Sequence, residues 1–445
     1  MKLYYMLMEV GKLKKGFSQS VLPVLRKKEV ESALKGFRKR DCTYTAWKLV
    51  LMFLLQMASK QSCRKEVGEA ISNRVIRSNA SEEDSGYCNA RNMLPEKPIA
   101  ELAFKAGKRL AGKAKKSDLF FGRRVRVIDG SSTHLRDTPA NQAEYPQPEG
   151  QGQGQGTPIM YFSVLMDLAT GAILRVFTQG GAAFEKRLFR AMWPFLKAGD
   201  IVLADSNYGT FAEITMLLKR KVDGVFHWAN ARKHSPHKVV FEKGDWLETW
   251  ERPVAGYPWV DLRKLPELIT VRVISFQCRI KGFRPDKIEI VTTLLDPKKY
   301  PKEEIMKLYA RRWEMEMRLD DIKTVMKLSE LSCKKPDRCR KELYMGILAY
   351  NLIRTVMLDA ARRAGIPVNT ISFTGTRDRL DVFGSGQLMF EDPVGTYLLV
   401  LDHVAHDALP SRPFRFEPRV VKKRHNKYSL LNQSRETARH ALSRT

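Results

Sequence analysis

Asp129 closes the apolar run Val125-Arg126-Val127-Ile128, Asp205 closes Ile201-Val202-Leu203-Ala204, and Glu316 lies in the polar stretch Tyr309-Ala310-Arg311-Arg312-Trp313-Glu314-Met315-Glu316. Carboxylates are hard oxygen donors, and Mg²⁺ is held by a few of them while it keeps several waters. Two carboxylates at strand ends and a third on a later helix are the equipment of a divalent-metal phosphoryl-transfer site. Each acid alone has a plainer reading. An aspartate before Gly130-Ser131-Ser132 is an ordinary turn or cap residue, and Asp205 invites the same account. Only their convergence in space makes the chemistry.

The third acid must be placed by a helix. Lys302 to Leu328 reads as strongly helical. At about 100° per residue, Tyr309, Arg312, Glu316 and Lys323 point at about 0°, −60°, −20° and −40°, which is one face. Glu314 points roughly 140° away from Tyr309. Asp320 returns to the shared face, so helical geometry leaves both Glu316 and Asp320 open as the third carboxylate. A carboxylate there can hold a metal while Arg312 and Lys323 grip phosphate oxygens beside it. An ordinary solvated helix with spaced charge pairs is the alternative.

Other elements must bring these residues together. Val125 to Asp129 predicts a short strand that stops at Gly130-Ser131-Ser132. Asp137 to Pro158, with its Gln-Gly repeats, predicts a mobile loop. Met160–Leu168 and Ala172–Phe177 predict a hairpin, Phe184–Lys197 a helix, Ile201–Asp205 a strand covered on both faces, Phe211–Lys221 a helix and Gly224–Trp228 a strand. That order describes a mixed sheet flanked by helices, with a crevice near the strand ends. Asp129 and Asp205 are 76 positions apart and converge if their strands are neighbours.

Around this core, residues 1–118 predict a helical, basic region that either contacts DNA as a domain of its own or caps the core, with helices at Ser18–Phe37, Thr45–Met57 and Ala90–Ala114. Residues 119–232 and 298–365 are expected to form the core that would bring the three acids together. Residues 233–297, with Trp246, Trp250, Trp259 and short runs at Leu268–Phe276 and Lys287–Leu294, read as a β-rich insertion. A second helix at Leu343–Arg362 follows, and 366–445 is a basic C-terminal region. Arg412, Arg415, Arg419, Lys422, Lys423, Arg424 and Lys427 face a single acid there, Glu417.

Bulk composition fits this plan. Across 445 residues, 78 basic side chains against 49 acidic ones give a net charge of +29, which points to a polyanion such as DNA. A basic amphipathic membrane anchor is absent from the pattern, the longest apolar run (Leu49 to Leu55) is far short of a bilayer span, and no signal-peptide core is visible. The expectation is a cytoplasmic, nucleoid-associated protein with no membrane partner. Its six cysteines form no CxxC pair, Cys333 and Cys339 have no nearby histidine, and the eight histidines lack metal spacing, so reduced structural thiols are expected.

With these residues in view, the chain resembles the insertion-sequence transposases of the DDE type that carry a Y-R-E-K signature, the insertion sequence four family. The signature falls on Tyr309, Arg312, Glu316 and Lys323. Asp129-Gly130-Ser131-Ser132 and Asp205 with Tyr208 resemble the first and second acidic motifs, although Asn207 stands where the family usually has Gly or Ala. The likeness also runs through Thr292–Asp296 and Lys341–Arg354, and covers about residues 35–430. It implies an α/β, ribonuclease-H-like mixed-sheet core with a β-rich insertion and a helical N-terminal domain. It also implies cutting at the ends of a mobile element and joining of 3′-OH ends to target DNA. Asp129, Asp205 and Glu316 would then be catalytic and hold two Mg²⁺ ions, with Mn²⁺ able to substitute. Tyr309, Arg312 and Lys323 would bind DNA. The partners are the terminal inverted repeats and target duplex, with a dimer in the DNA complex. Trp228, Trp246 and Trp250 could stack a flipped base, but burial in the insertion is their commoner fate. A metal-dependent nuclease without strand transfer, or a catalytically inactive DNA-binding descendant, are the competing functions. An RNA-processing enzyme is disfavoured because no RNA-binding motif is visible.

Overall fold

The computed structural model describes residues 25, 27–37, 42–59, 61–72, 75–77, 79–150, 152, 154–181, 184–229, 233–277, 287–383, 393–409 and 432–443. The basic run Arg412–Lys427 and positions 18–24 and 26 of the helix expected over Ser18–Phe37 lie outside these residues.

The described chain begins with helices α1 (Lys27–Ala33), α2 (Ala46–Ser59), α3 (Cys63–Ser72), α4 (Ser85–Asn92) and α5 (Glu96–Gly112). Helix α2 is apolar all round, with Leu49 to Leu55 buried, as a helix inside a core must be. The single helix expected over Ala90–Ala114 is two. Pro95 disfavours helical geometry at the residue before it and instead starts α5, where a missing N–H costs nothing.

Strand β1 runs Val125–Leu135, so it does not stop at Asp129. The hairpin strand β2 (Ile159–Asp167) stays paired with it from Arg126↔Asp167 to His134↔Ile159, and this ladder carries Gly130-Ser131-Ser132 as strand rather than turn. Between them, the expected loop contains helix α6 (Pro139–Glu144). Thr138 accepts a hydrogen bond from the Asn141 N–H, and Pro139 is pre-set for the first helical position. Strand β3 (Ala172–Gln179), helix α7 (Phe184–Met192), β4 (Ile201–Ala204), helix α8 (Phe211–Leu218) and β5 (Asp223–His227) follow, close to the expected positions.

Strands β6 (Lys238–Glu242), β7 (Asp245–Glu251), β8 (Leu268–Gln277) and β9 (Lys287–Thr292) come next. They continue the same sheet, in the order β3-β2-β1-β4-β5-β9-β8-β7-β6. β2 runs antiparallel to both of its neighbours, β3 and β1, whereas β1, β4 and β5 are parallel. This is the ribonuclease-H-like order, with the insertion strands joined edge-on to β5 through β9. Arg272 on β8 is fully buried and fixes the join. It pairs with Asp245 and donates to the Tyr300 carbonyl at 2.7 Å, just ahead of the signature helix.

The helix expected over Lys302–Leu328 is broken in two. α9 (Lys302–Ala310) ends at a tight turn through Arg311 and Arg312, α10 (Trp313–Asp320) resumes, and Asp321–Val325 is a π-helical turn. Two 3₁₀-type bonds make the break, from Glu314 N–H to the Arg311 carbonyl and from Met315 N–H to the Arg312 carbonyl, both 2.9 Å. The phase arithmetic of one straight helix therefore fails beyond Arg312. A short β10 (Glu330–Leu331) pairs with the far end of β1. Helix α11 (Pro336–Ala364) then passes through the main core and stops at Gly365, whose φ of +68° gives the left-handed cap. α12 (Phe373–Phe383), α13 (Pro393–His406) and α14 (Arg435–Leu442) complete the described chain.

The sheet divides the apolar interior by strand alternation. Val125, Val127, Ile201 and Leu203 face one cluster with α2, α5, α10 and α11, whereas Ile128, Val202 and Ala204 face the other with α7, α8 and the insertion tryptophans.

Candidate active site

Asp129 lies two residues beyond Val127, and Asp205 two residues beyond Leu203. Val127 and Leu203 are register partners on the parallel pair β1 and β4. Extending that register places the two aspartates level, on strands about 4.8 Å apart. Parity then fixes their side. Asp129 shares a face with Val125 and Val127, and Asp205 with Ile201 and Leu203, on the side where Met315, Leu319 and Ile322 of the third-acid segment also pack. β4 ends at Ala204, and its departure opens the edge of β1 just where Asp129 stands.

Each aspartate is held by its own chain. Asp129 Oδ1 accepts from the Gly130 N–H at 2.8 Å, and Asp205 Oδ1 accepts from the Ser206 N–H at 2.7 Å, which starts a 3₁₀ turn through Tyr208. Ser163 on β2 donates to the Asp129 carbonyl at 3.0 Å. Tyr208 is buried and stacks on Phe189 of α7, with ring centroids 4.6 Å apart.

Glu316 closes the group. Arg312 Nη2 donates to its Oε1 at 2.9 Å. Burial pushes the Asp129 carboxyl up to about 6, the Gly130 N–H and Arg312 oppose the shift, and the charges of Asp205 and Glu316 add to it. Tyr309 is raised by burial, eased by Arg312, and raised again by Asp205 and Glu316. Asp129, Asp205, Glu316, Arg312 and Tyr309 thus lie within each other's fields.

Asp320 and Lys323 are not among the groups that act most strongly on Asp129 and Tyr309. Asp320 is exposed and accepts from the Thr324 hydroxyl at 2.6 Å. Lys323 is half-buried on the π turn, and the groups that most affect Asp129 and Tyr309 do not include it. Trp228 and Trp250 are buried and pack against each other at 5.7 Å, His234 stacks on Trp228 at 4.2 Å, and Trp246 is half-buried with its indole N–H donating to Glu248 at 3.3 Å.

The donors are all carboxylate oxygens, which suit Mg²⁺ or Mn²⁺ rather than a thiophilic ion. An aspartate raised by burial and by two neighbouring acids is what a cation would relieve. The three carboxylates are not drawn into a closed cage. Among the described residues, only Cys63, Asp84 and Cys88 bring three such ligand atoms mutually within 4.8 Å.

Comparison with known proteins identifies the family. The family described as the transposase DDE domain matches residues 120–352, from the start of β1 to the middle of α11. This chain belongs to the DDE transposase family. It is 25% identical over 325 residues to the transposase InsG for insertion sequence element IS4 of Escherichia coli, covering 68% of each chain. A cryo-EM structure of the piggyBac transposase synaptic complex with hairpin DNA overlaps 86% of this chain and 81% of its own at 10% identity and a TM-score of 0.43. Among the described residues of this transposase, no helix is long and apolar enough to cross a membrane.

The transposase also holds polar support that the acidic motifs do not announce. Asp321, beside the third acid, is raised to about 6 by burial, opposed by Arg318 and Arg354. Arg354 of α11 is fully buried, lowered to about 9 by burial, and donates to the Thr170 carbonyl in the β2–β3 turn at 3.1 Å. Asn351 accepts from the Ile173 N–H at 2.9 Å and donates to the Ile173 and Ala103 carbonyls. Asn351 and Arg354 inside the apolar stretch Leu343–Leu358 were the available signal, since buried polar groups are placed to make bonds.

Proposed function

We propose that this transposase belongs to an insertion sequence, cuts the ends of its element and joins the 3′-OH ends to target DNA at one site. The observation that supports this reading is the parallel register of Val127 with Leu203, which carries Asp129 and Asp205 two residues on, with Arg312 and Glu316 acting on Asp129. Asp129, Asp205 and Glu316 would hold two Mg²⁺ ions. Such ions supply a lowered pKa for the attacking hydroxyl and charge neutralisation for the leaving oxygen.

The protein's own groups do the rest. Arg312 holds Glu316 in place and leaves further guanidinium donors for a phosphate oxygen. Tyr309 keeps its phenol proton, because burial raises it, and can donate that proton to a strand oxygen. Lys323 contributes a nearby positive charge to the DNA path. Hydrolysis and strand transfer differ only in whether water or a DNA 3′-OH attacks, so one site serves both. The net charge of +29 supports duplex DNA as partner, both terminal inverted repeats and target. Holding two ends together calls for a dimer in the DNA complex.

A strand-transfer assay separates this reading from a simple nuclease. A pre-cut end carrying a free 3′-OH is incubated with target plasmid and Mg²⁺. Covalent end–target product is expected; cleavage of an uncut end with no joined product assigns the nuclease reading instead.

A further inference from the structure

Far from the acids, two helices of the N-terminal region bring together residues that are distant in sequence. Cys63 opens α3, while Asp84 and Cys88 lie one turn apart at the start of α4. The two thiol sulfurs and an Asp84 carboxylate oxygen are all within 4.8 Å of one another, and all three residues are half-buried. An i, i+4 pair on one helix plus one residue from its neighbour is a common way to present metal ligands.

Two further observations point to a ligand. Asp84 occupies the N-cap of α4, yet its side chain accepts no hydrogen bond from the helix N–H groups it could satisfy. Gln56 of α2 has its amide oriented by its oxygen, which accepts from the buried Tyr87 hydroxyl at 2.9 Å and from Arg91 at 2.6 Å. Its –NH₂ is therefore turned to the Cys63 sulfur, 3.2 Å away. An N–H donor aimed at a ligating sulfur is the usual outer support of a metal thiolate. Arg91, one turn beyond Cys88, lies within the field of both cysteines. It would balance the single net negative charge left when one dication meets two thiolates and one carboxylate.

We propose that Cys63, Asp84 and Cys88 form a structural site for a thiophilic divalent cation, with Zn²⁺ the chemical match, that ties α3 to α4. Two thiolates and one carboxylate suit zinc's preference for sulfur with mixed tetrahedral ligands, and partial exposure leaves the fourth position to water. In such a site the two sulfurs would sit roughly 3.8 Å apart for Zn–S bonds of about 2.3 Å, a separation within that of the cluster. Binding releases the two thiol protons to solvent. The site is separate from the acidic centre, whose donors are oxygens alone.

The test uses the full-length, reduced protein and Co²⁺ as the probe, because cobalt bound by thiolate absorbs through a sulfur-to-metal charge-transfer band that oxygen ligands do not give. The expected result is one equivalent of Co²⁺ with that band, its displacement by Zn²⁺, and a Zn²⁺-dependent rise in thermal midpoint. The band should survive Asp129→Asn with Glu316→Gln, disappear in Cys63→Ser with Cys88→Ser, and weaken in affinity in Asp84→Asn. Circular dichroism of the serine variant shows whether α3 and α4 still fold. Should that variant lose its helices, protection of Cys63 and Cys88 from alkylation by added Zn²⁺ in the unaltered chain replaces it as the readout. Absence of the band, a band of equal strength in a folded serine variant, or alkylation indifferent to Zn²⁺ overturns the proposal. Rapid closure of the pair to a disulfide with no metal uptake overturns it too.

Discussion

Arg312, at the N-cap of α10, donates to Glu316 one turn further along the same helix at 2.9 Å. The break in the helix and the ion pair belong together. Beyond the turn, the buried Met315 and Leu319 of α10 pack in the same cluster as Val125 and Val127, which share a strand face with Asp129. Arg312 thereby comes to serve four groups: Tyr309, Glu316, Asp129 and Asp205 all favour its charged form.

Glu316 and Asp320 should separate cleanly in activity. Asp129→Asn, Asp205→Asn and Glu316→Gln are each expected to abolish Mg²⁺-dependent cleavage of element-end DNA while gel-shift affinity for that DNA persists. Asp320→Asn should cleave close to normally, because Asp320 is exposed and bonded to Thr324. Equal loss in Asp320→Asn would remove Glu316 as the third ligand.

Asp129 gives a pH signature whose sign is opposite to that of a salt-bridged acid. Its folded-state value, about 6, lies above the ordinary 3.8, so the native protein binds the extra proton between those limits. Stability from this group is therefore greatest at low pH and is lost as pH rises through about 6, where the buried charge forms. In EDTA at neutral pH, Asp129→Asn should be more stable than the parent by on the order of 1–3 kcal/mol. That gain should fade below pH 6 in urea titrations; a constant gain across the range contradicts it. Cleavage should show an acid limb near the same pH, since the ionised carboxylate is the ligand.

Arg312→Gln should move that acid limb to higher pH, because the guanidinium lowers Asp129. The rate should also fall by roughly 10²-fold, the usual effect of removing a charged donor from a phosphoryl-transfer site. Arg312→Lys should restore much of the pH profile and less of the rate, since an ammonium lacks the planar fork. An unmoved limb in Arg312→Gln would separate the guanidinium from Asp129.

Arg272 and Asp245 should reveal how the insertion is fastened. Both are buried, with Arg272 Nε to Asp245 Oδ1 at 2.7 Å. Arg272→Ala leaves an unpaired buried carboxylate and the Tyr300 carbonyl without its donor, and should cost about 3–5 kcal/mol by urea unfolding. Arg272→Met combined with Asp245→Leu should recover part of that loss.

Gly107 marks the closest approach of α5 to the sheet. A Cβ there would lie 2.0 Å from the Ile173 carbonyl oxygen and 2.9 Å from Asn351 Nδ2. Gly107→Ala should destabilise by about 1–3 kcal/mol, although alanine is the better helix former, because helix and strand must separate. A neutral or stabilising result in urea would show that this contact yields.

Several elements were legible because their signals are local. The apolar runs ending at Asp129 and Asp205 predicted β1 and β4, and the Ala169-Thr170-Gly171 turn predicted the β2–β3 hairpin. Errors arose where a partner decides. β1 continues through Gly130-Ser131-Ser132 because β2 supplies a ladder on that side, and nothing in those three residues announces it. The break at Arg311 and Arg312 contains neither Gly nor Pro, so helical periodicity passed over it.

By itself, the sequence determined which residue types are available: three acids with Arg312, Tyr309 and Lys323 at a recognisable spacing, a basic surplus, and a mixed order of strands and helices. Tertiary structure decided which of those residues meet. The parallel register of β1 with β4 brings Asp129 towards Asp205, the Arg312 pair holds Glu316 within the field of Asp129, and helix packing gathers Cys63, Asp84 and Cys88. The physical reason is that side-chain chemistry and backbone propensity act within a few residues. Convergence across 76 or more positions depends on burial and hydrogen bonding between elements, which the linear order does not contain.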